Sequence, residues 1–265
     1  MMPLDPDPAA MARRRPIKSG QRPARTIGGA PLDPGRPLAI AAVLTAMTLV
    51  VLDAGMTNLA LPTIASALSV SPAAAVLVVT AYQTALLVAL LPAAALGERL
   101  GYRPVFASGV WLFIGASVLS ACAPSLPWLV AARALQGLGG AAILALGVPL
   151  LRYSVPPQRL GAAIGWNALT VALASSAGPG VGALILSQTE WPWLFAANVP
   201  LGIAVLVACR QLPRTPSGSQ RLDFASMVLS GGMFASLFIG AQLLLTRPLV
   251  ACSLAAAGLV CLGLL

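Results

Sequence analysis

Apolar residues run through this chain in long unbroken blocks, separated by short stretches that contain Pro, Arg or Ser. Eight blocks of 17 residues or more stand out, at 38–61, 74–97, 104–122, 126–151, 161–187, 192–209, 224–245 and 249–265. A helix rises about 1.5 Å per residue, so each block can cross the roughly 30 Å hydrocarbon core of a bilayer. The short alternating segments of a transmembrane barrel strand are absent. The pattern predicts an all-α fold, a polytopic membrane helical bundle. Residues 1–37 are rich in Pro, Arg and Gly without apolar periodicity, and are predicted to be a disordered basic tail. The basic stretch leads into an apolar block of full spanning length with no small-residue cleavage site at a suitable distance, so it is not read as a signal peptide.

Composition agrees: 58% of residues are apolar and 9% charged, against roughly 25% charged in an ordinary soluble domain. The net charge of +9 would suggest nucleic acid, but its placement points to a topology signal instead. With the N-terminus inside, one side of the membrane collects Arg13, Arg14, Arg15, Lys18, Arg22, Arg25, Arg36, Arg99, Arg103, Arg152, Arg159, Arg210, Arg214 and Arg221. Those are 14 of the 16 basic residues. This is the positive-inside bias, and it predicts a cytoplasmic N-terminus, an even number of spans and contact with anionic lipid, with no nucleic-acid partner.

Histidine is absent, which removes any His-ligated zinc site and any Ser-His-Asp triad. Cys122, Cys209, Cys252 and Cys261 lie in or at the ends of the blocks without paired spacing, and read as packing residues, not metal ligands or disulfides. Gly137-Leu138-Gly139-Gly140-Ala141-Ala142 fits a loose dinucleotide fingerprint, but lacks a preceding strand and an acidic residue about 20 positions on. It is read as helix packing. No enzyme, cofactor or metal site is expected.

Among 16 basic and 7 acidic residues, only Asp53 and Arg133 fall within long apolar blocks. A charge at membrane depth costs a few kcal/mol or more, so it marks either a structural pair or a functional site. Asp53 lies about 15 residues into the outward-running first block, roughly 22 Å from its inner end. Arg133 lies about seven residues down the inward-running fourth, roughly 10 Å from the outer end. The two fall at similar depth and are expected to be neighbours or to be linked through polar groups. Asp53, Thr57 and Asn58, spaced i, i+4, i+5, are read as one polar face, lining a cavity or bonding another helix. Pro62 is expected to end or bend that helix. Between the second and third blocks, Glu98, Arg99, Gly101 and Arg103 occupy a six-residue loop suited to a charge cluster that latches and releases helix bundles.

These stretches resemble signatures of the major facilitator superfamily. Ala94-Ala95-Leu96-Gly97-Glu98-Arg99-Leu100-Gly101-Tyr102-Arg103 is similar to the family's loop signature, with Ala94 for a Gly and Tyr102 for an Arg. Arg133-Ala134-Leu135-Gln136-Gly137-Leu138-Gly139-Gly140 resembles its R-x-x-Q-G-x-G motif. Gly178-Pro179-Gly180-Val181-Gly182 looks like the antiporter motif, with Ala183 where a second closing Gly would be. Trp191-Pro192-Trp193-Leu194-Phe195-Ala196-Ala197-Asn198-Val199-Pro200-Leu201-Gly202 resembles a signature of the fourteen-helix drug:proton antiporters, with Pro192 replacing an Arg. The first block's Leu52-Asp53 to Asn58-Leu59-Ala60-Leu61-Pro62 is similar to that branch as well.

The resemblance implies that 38–210 form one six-helix transporter half and that 211–265 supply a linker and two further spans. It implies proton-driven export of small amphipathic molecules, powered by the proton gradient without a cofactor. Asp53 would bind and release the proton, with Arg133 as its partner. Asn58, Gln83, Gln136 and Asn167 are candidate polar contacts in a mainly apolar substrate cavity. The residence expected is the plasma or inner membrane. The sequence stops at Leu265 inside an apolar block, so an incomplete chain is expected, requiring a missing C-terminal half or another chain. A metabolite facilitator of the same fold and a non-transporting membrane scaffold are the alternative readings.

Overall fold

The computed structural model describes residues 37–213, 215, 224–243 and 248–264. Among the described residues every regular element is helical. The helices are α1 (Pro37–Ala67), α2 (Pro72–Leu100), α3 (Tyr102–Ala121), α4 (Leu126–Ser154), α5 (Leu160–Gln188), α6 (Pro192–Ala196), α7 (Asn198–Cys209), α8 (Phe224–Leu243) and α9 (Pro248–Leu264). A 3-10 turn at Pro157–Arg159 leads into α5. Six segments are long and apolar enough to cross a bilayer, the sixth made of α6 and α7 together. α8 and α9 are apolar where their side chains are described, over Leu229–Gln242 and Pro248–Leu262. The tail expected over 1–37 lies outside the described residues, apart from Pro37 at the start of α1.

α1, α2 and α4 run past the ends of their apolar blocks, and this bears on two expectations. Pro62 lies inside α1, which continues to Ala67, so it does not end the helix; a proline removes one intrahelical bond but need not end a helix. The expected loop around Glu98–Arg103 is the single residue Gly101, since Glu98 and Arg99 complete the last turn of α2 and Arg103 lies in the first turn of α3. Glu, Arg and Leu are strong helix formers and carry α2 beyond the hydrocarbon. Pro104 is tolerated because N–H groups of a first helical turn have no intrahelical partner. Gly101 makes the reversal at φ +95°, a region that costs other residues strain. α2 starts as abruptly: Ser71 Oγ accepts from Ala74 N at 3.2 Å, and Pro72 opens the helix.

The sixth block is interrupted at Ala197, which keeps helical angles of φ −61° and ψ −25°. Pro200 has no N–H to give the carbonyl of Ala196, so the ladder lapses there.

α4 is the most buried span and packs against α2, α3 and α1. α1 also packs against α5 and α7, and α8 lies on α2 and pairs with α9. The core consists of two apolar clusters. One is built from Val43, Met47, Val50, Phe106, Phe113, Ile143, Leu146 and Leu150. The other contains Met56, Ala60, Ile64, Val78, Leu129, Leu194 and Phe195. Along α1 the first cluster reaches Val50 and the second begins at Met56. Asp53 falls between them.

Candidate functional site

Asp53 and Arg133 meet where α1 crosses α4. Both are buried, and Arg133 Nη1 donates to Asp53 Oδ2 at 2.5 Å. The same nitrogen donates to Gln136 Oε1 at 2.6 Å, using the i, i+3 spacing that puts both residues on one helical face. Gln136 Nε2 donates to Asp53 Oδ1 and to Ser117 Oγ, each at 3.0 Å. From α7, Asn198 Nδ2 donates to Asp53 Oδ1 at 2.6 Å. The carboxylate therefore gathers three donors from two helices, and such charge-assisted bonds are stronger than neutral ones.

Aromatic rings cover the arginine. Its guanidinium carbon lies 4.2 Å from the centroid of the Tyr82 ring and 5.4 Å from that of Phe195. A desolvated cation–π contact of this kind is worth about 2 kcal/mol. Tyr82 is held by its hydroxyl, which donates to the Val50 carbonyl at 3.3 Å. Among the described residues, Arg133 Nε and Nη2 find no hydrogen-bond acceptor. An ion pair taken out of water needs good geometry and further hydrogen bonds to offset desolvation. Asp53 has these, while Arg133 relies on one nitrogen and two ring faces.

Glycines bring the helices to this distance. A Cβ at Gly137 would lie 2.3 Å from the Tyr82 carbonyl oxygen, and one at Gly139 would lie 2.7 Å from both Gly109 O and Phe113 N. α4 thus touches the backbones of α2 and α3 within a single turn. In the stretch resembling the antiporter motif, Gly178 faces Gly55 so closely that an added Cβ would be 3.0 Å from the Gly55 Cα. Gly182 lies against Met56 in the same way, at 3.1 Å. Pro179 belongs to this contact too, its Cδ 3.4 Å from a Cβ placed at Gly55. α5 therefore seats on α1 two residues from Asp53.

The other sequence-predicted residues are dispersed. Asn58 is exposed, and its Nδ2 donates to Ala54 O at 3.0 Å within its own helix. The expectation that it shares the face of Asp53 and Thr57 fails on angle: at about 100° per residue, i+4 is about 40° away but i+5 about 140°. Thr57 is buried and donates to the Asp53 carbonyl at 2.8 Å. Gln83 is half-buried, while its neighbour Tyr82 points into the site. Asn167 is half-buried with its Oδ1 enclosed and unpaired. Of the four expected cavity residues, only Gln136 reaches the charged pair.

At the α2–α3 turn, Glu98 and Arg99 are exposed, Gly101 is buried and Arg103 is half-buried. Arg103 Nη2 donates to the Arg210 carbonyl at 3.2 Å. Tyr102 N donates to Thr215 Oγ1 at 2.7 Å. The segment after α7 thus caps the start of α3, where Gly101 has no side chain to do so.

Sequence reasoning missed Asn198, Ser117, Tyr82 and Phe195 as members of the site. Asn198 and Phe195 stood in a recognised motif without a role. Tyr82 could have been found as a polar-tipped aromatic inside a span, where its hydroxyl must find a partner.

Among the described residues the apolar helices enclose one buried, multiply bonded ion pair, an arrangement that fits a polytopic membrane protein. Residues 43–265 match the Major Facilitator Superfamily, and the chain belongs to that family. It is 42% identical over 214 residues to the uncharacterized transporter YebQ of Escherichia coli, covering 79% of this chain and 46% of that protein. It is 35% identical over 205 residues to the tetracenomycin C resistance and export protein of Streptomyces glaucescens, covering 76% and 38%. The crystal structure of the human organic anion transporter MFSD10 (TETRAN) superposes with a TM-score of 0.57 at 15% identity, covering 77% of this chain and 55% of that one. The chain thus spans less than half the length of the curated relatives it matches.

Proposed function

We propose that the chain forms the N-terminal part of a proton-coupled exporter of small amphipathic molecules in the plasma or inner membrane, with its N-terminus cytoplasmic. The observation that carries this reading is the Asp53–Arg133 pair, buried at the α1–α4 crossing. A carboxylate at membrane depth, held ionised by donors from two helices, is suited to give up its proton in this arrangement and to take one up when the bundle's change of shape draws those donors away. The close seating of α5 on α1 beside it, in a stretch resembling the antiporter motif, supports exchange of proton against substrate. The similarity to the tetracenomycin C resistance and export protein supports export. In this reading the α2–α3 turn, with Glu98, Arg99, Gly101 and Arg103, is a conformational latch, and Asn58, Gln83, Gln136 and Asn167 face the substrate path in other conformations. The second half of the transporter comes from further sequence or another chain.

The test is efflux of an amphipathic dye in energised inverted vesicles that carry a full-length transporter with this sequence as its N-terminal part. Asp53→Asn is expected to abolish the proton-driven component while protein still reaches the membrane. Full proton-coupled efflux in that variant would falsify the reading. A metabolite-specific response, with proton release on adding metabolites and none on adding drugs, replaces the substrate class but not the coupling site.

A further inference from the structure

Each oxygen of the Asp53 carboxylate is met by donors. Arg133 Nη1 bonds Oδ2, and the amide nitrogens of Gln136 and Asn198 converge on Oδ1. An ionised carboxylate only accepts, so this ring satisfies it; a neutral carboxyl carries an O–H that needs an acceptor of its own. Neutralising Asp53 therefore obliges a neighbour to turn or withdraw. Arg133 has no acceptor to present. Gln136 is tied at both ends, its Oε1 by Arg133 and its Nε2 also by Ser117. Among the described residues Asn198 is held through one side-chain bond, to Asp53. Its amide nitrogen has no second acceptor among them, so of the three donors it is the one freest to withdraw.

The backbone under Asn198 is the part of the sixth span least able to resist such a change. The helix lapses at Ala197, where Pro200 withholds a hydrogen bond from Ala196. One turn earlier Phe195 lies over Arg133. Within four residues, then, the sixth span touches both members of the charged pair.

We propose that the interrupted turn Phe195–Asn198 reads the charge state of the Asp53–Arg133 pair. Asn198 is the positioning residue that follows Asp53, and Phe195 follows Arg133. With Asp53 ionised, Asn198 ties α7 to α1; with Asp53 neutral, that tie is given up and the α6–α7 junction loosens. The inference rests on the reading of Asp53 as the proton site, but the response of the turn to charge at position 53 is separately measurable. The titratable groups facing the pair from the packed helices are Arg133 of α4 and Tyr82 of α2. Neither side-chain type changes charge in mildly acid water. α3 contributes Ser117, and α5 contains no charged residue.

The experiment is amide hydrogen exchange, read by mass spectrometry, on the 265-residue chain in lipid nanodiscs. Peptides covering Leu194–Gly202 are compared with peptides from α3 over Val105–Phe113. Asp53→Asn, which leaves one acceptor oxygen where there were two, is expected to speed exchange in Leu194–Gly202 about tenfold, the factor carried by one hydrogen bond to a charged group. Val105–Phe113 should stay within about twofold. Asn198→Leu should speed the same peptides alone, and adding Asp53→Asn to it should change them little further. Acidifying the unsubstituted chain, after correction for the intrinsic pH dependence of exchange, should reproduce the Asp53→Asn pattern. Equal acceleration in both regions, or none in Leu194–Gly202 for Asp53→Asn, overturns the proposal. Selective loosening by Asp53→Asn without any response to acid upholds the turn as a charge reader and removes Asp53 as the proton site.

Discussion

Alanine at Gly137 adds one methyl group at the tightest point between α4 and α2. Its Cβ would land 2.3 Å from the Tyr82 carbonyl oxygen and 3.1 Å from both Ala85 Cβ and Leu86 N, where ordinary contact begins at 3.4 Å. The obstacles are backbone atoms and a Cβ, which no rotamer change moves, so α2 must retreat by about 1 Å. A gap of that width forfeits a quarter to a half of each dispersion well along the seam. Overpacking of this kind costs about 1–3 kcal/mol, and the rigidity of the neighbours places Gly137→Ala near the upper end, at about 2–3 kcal/mol. The retreat also carries Tyr82 off the Arg133 guanidinium. Gly180→Ala is the control: nothing lies within 4 Å of its added Cβ, and alanine in a helix gains about 0.5–1 kcal/mol over glycine. Thermal unfolding of the purified chain in detergent, followed by helical circular dichroism, separates the two. At about 2–4 °C per kcal/mol, Gly137→Ala should melt about 4–12 °C below the parent and Gly180→Ala slightly above it. Equal midpoints for the two variants would refute the close-packed seam.

Asp53→Leu should destabilise the chain by about 3–5 kcal/mol, because it strands a buried guanidinium; adding Arg133→Met should recover most of that loss, as measured by the same melts. Gly101→Ala should cost about 1–2 kcal/mol, since φ is +95° and the new Cβ meets Thr215 O and Oγ1 at 3.3 Å. Asn58→Ala removes an exposed, intrahelical bond and should change the melting free energy by less than about 0.5 kcal/mol.

The spans were legible because a bilayer imposes one signal, a sustained apolar run, that no neighbour can disguise. The depth argument placed Asp53 beside Arg133 because rise per residue is fixed and topology sets direction. What stayed hidden depended on rotation and on partners. Asn58 was assigned to a face it leaves by about 140°, and Gln83 was chosen where Tyr82, one residue away, faces inward. Asn198 lies 145 positions from Asp53, and no local pattern announces so distant a bond. The turn at Gly101 was read as a loop because charged residues end an apolar run without ending a helix.

The contact between Gly55 and Gly178 is backbone on backbone, with no side chain between. It can be viewed as the fulcrum of a lever. From Gly178, α5 extends 18 residues back to Leu160 and 10 residues on to Gln188, arms of about 27 Å and about 15 Å. Pro179, the one proline inside α5, softens the beam beside its support. A rocking of α5 therefore sweeps its Leu160 end almost twice as far as its Gln188 end, while the pivot stays within two residues of Asp53.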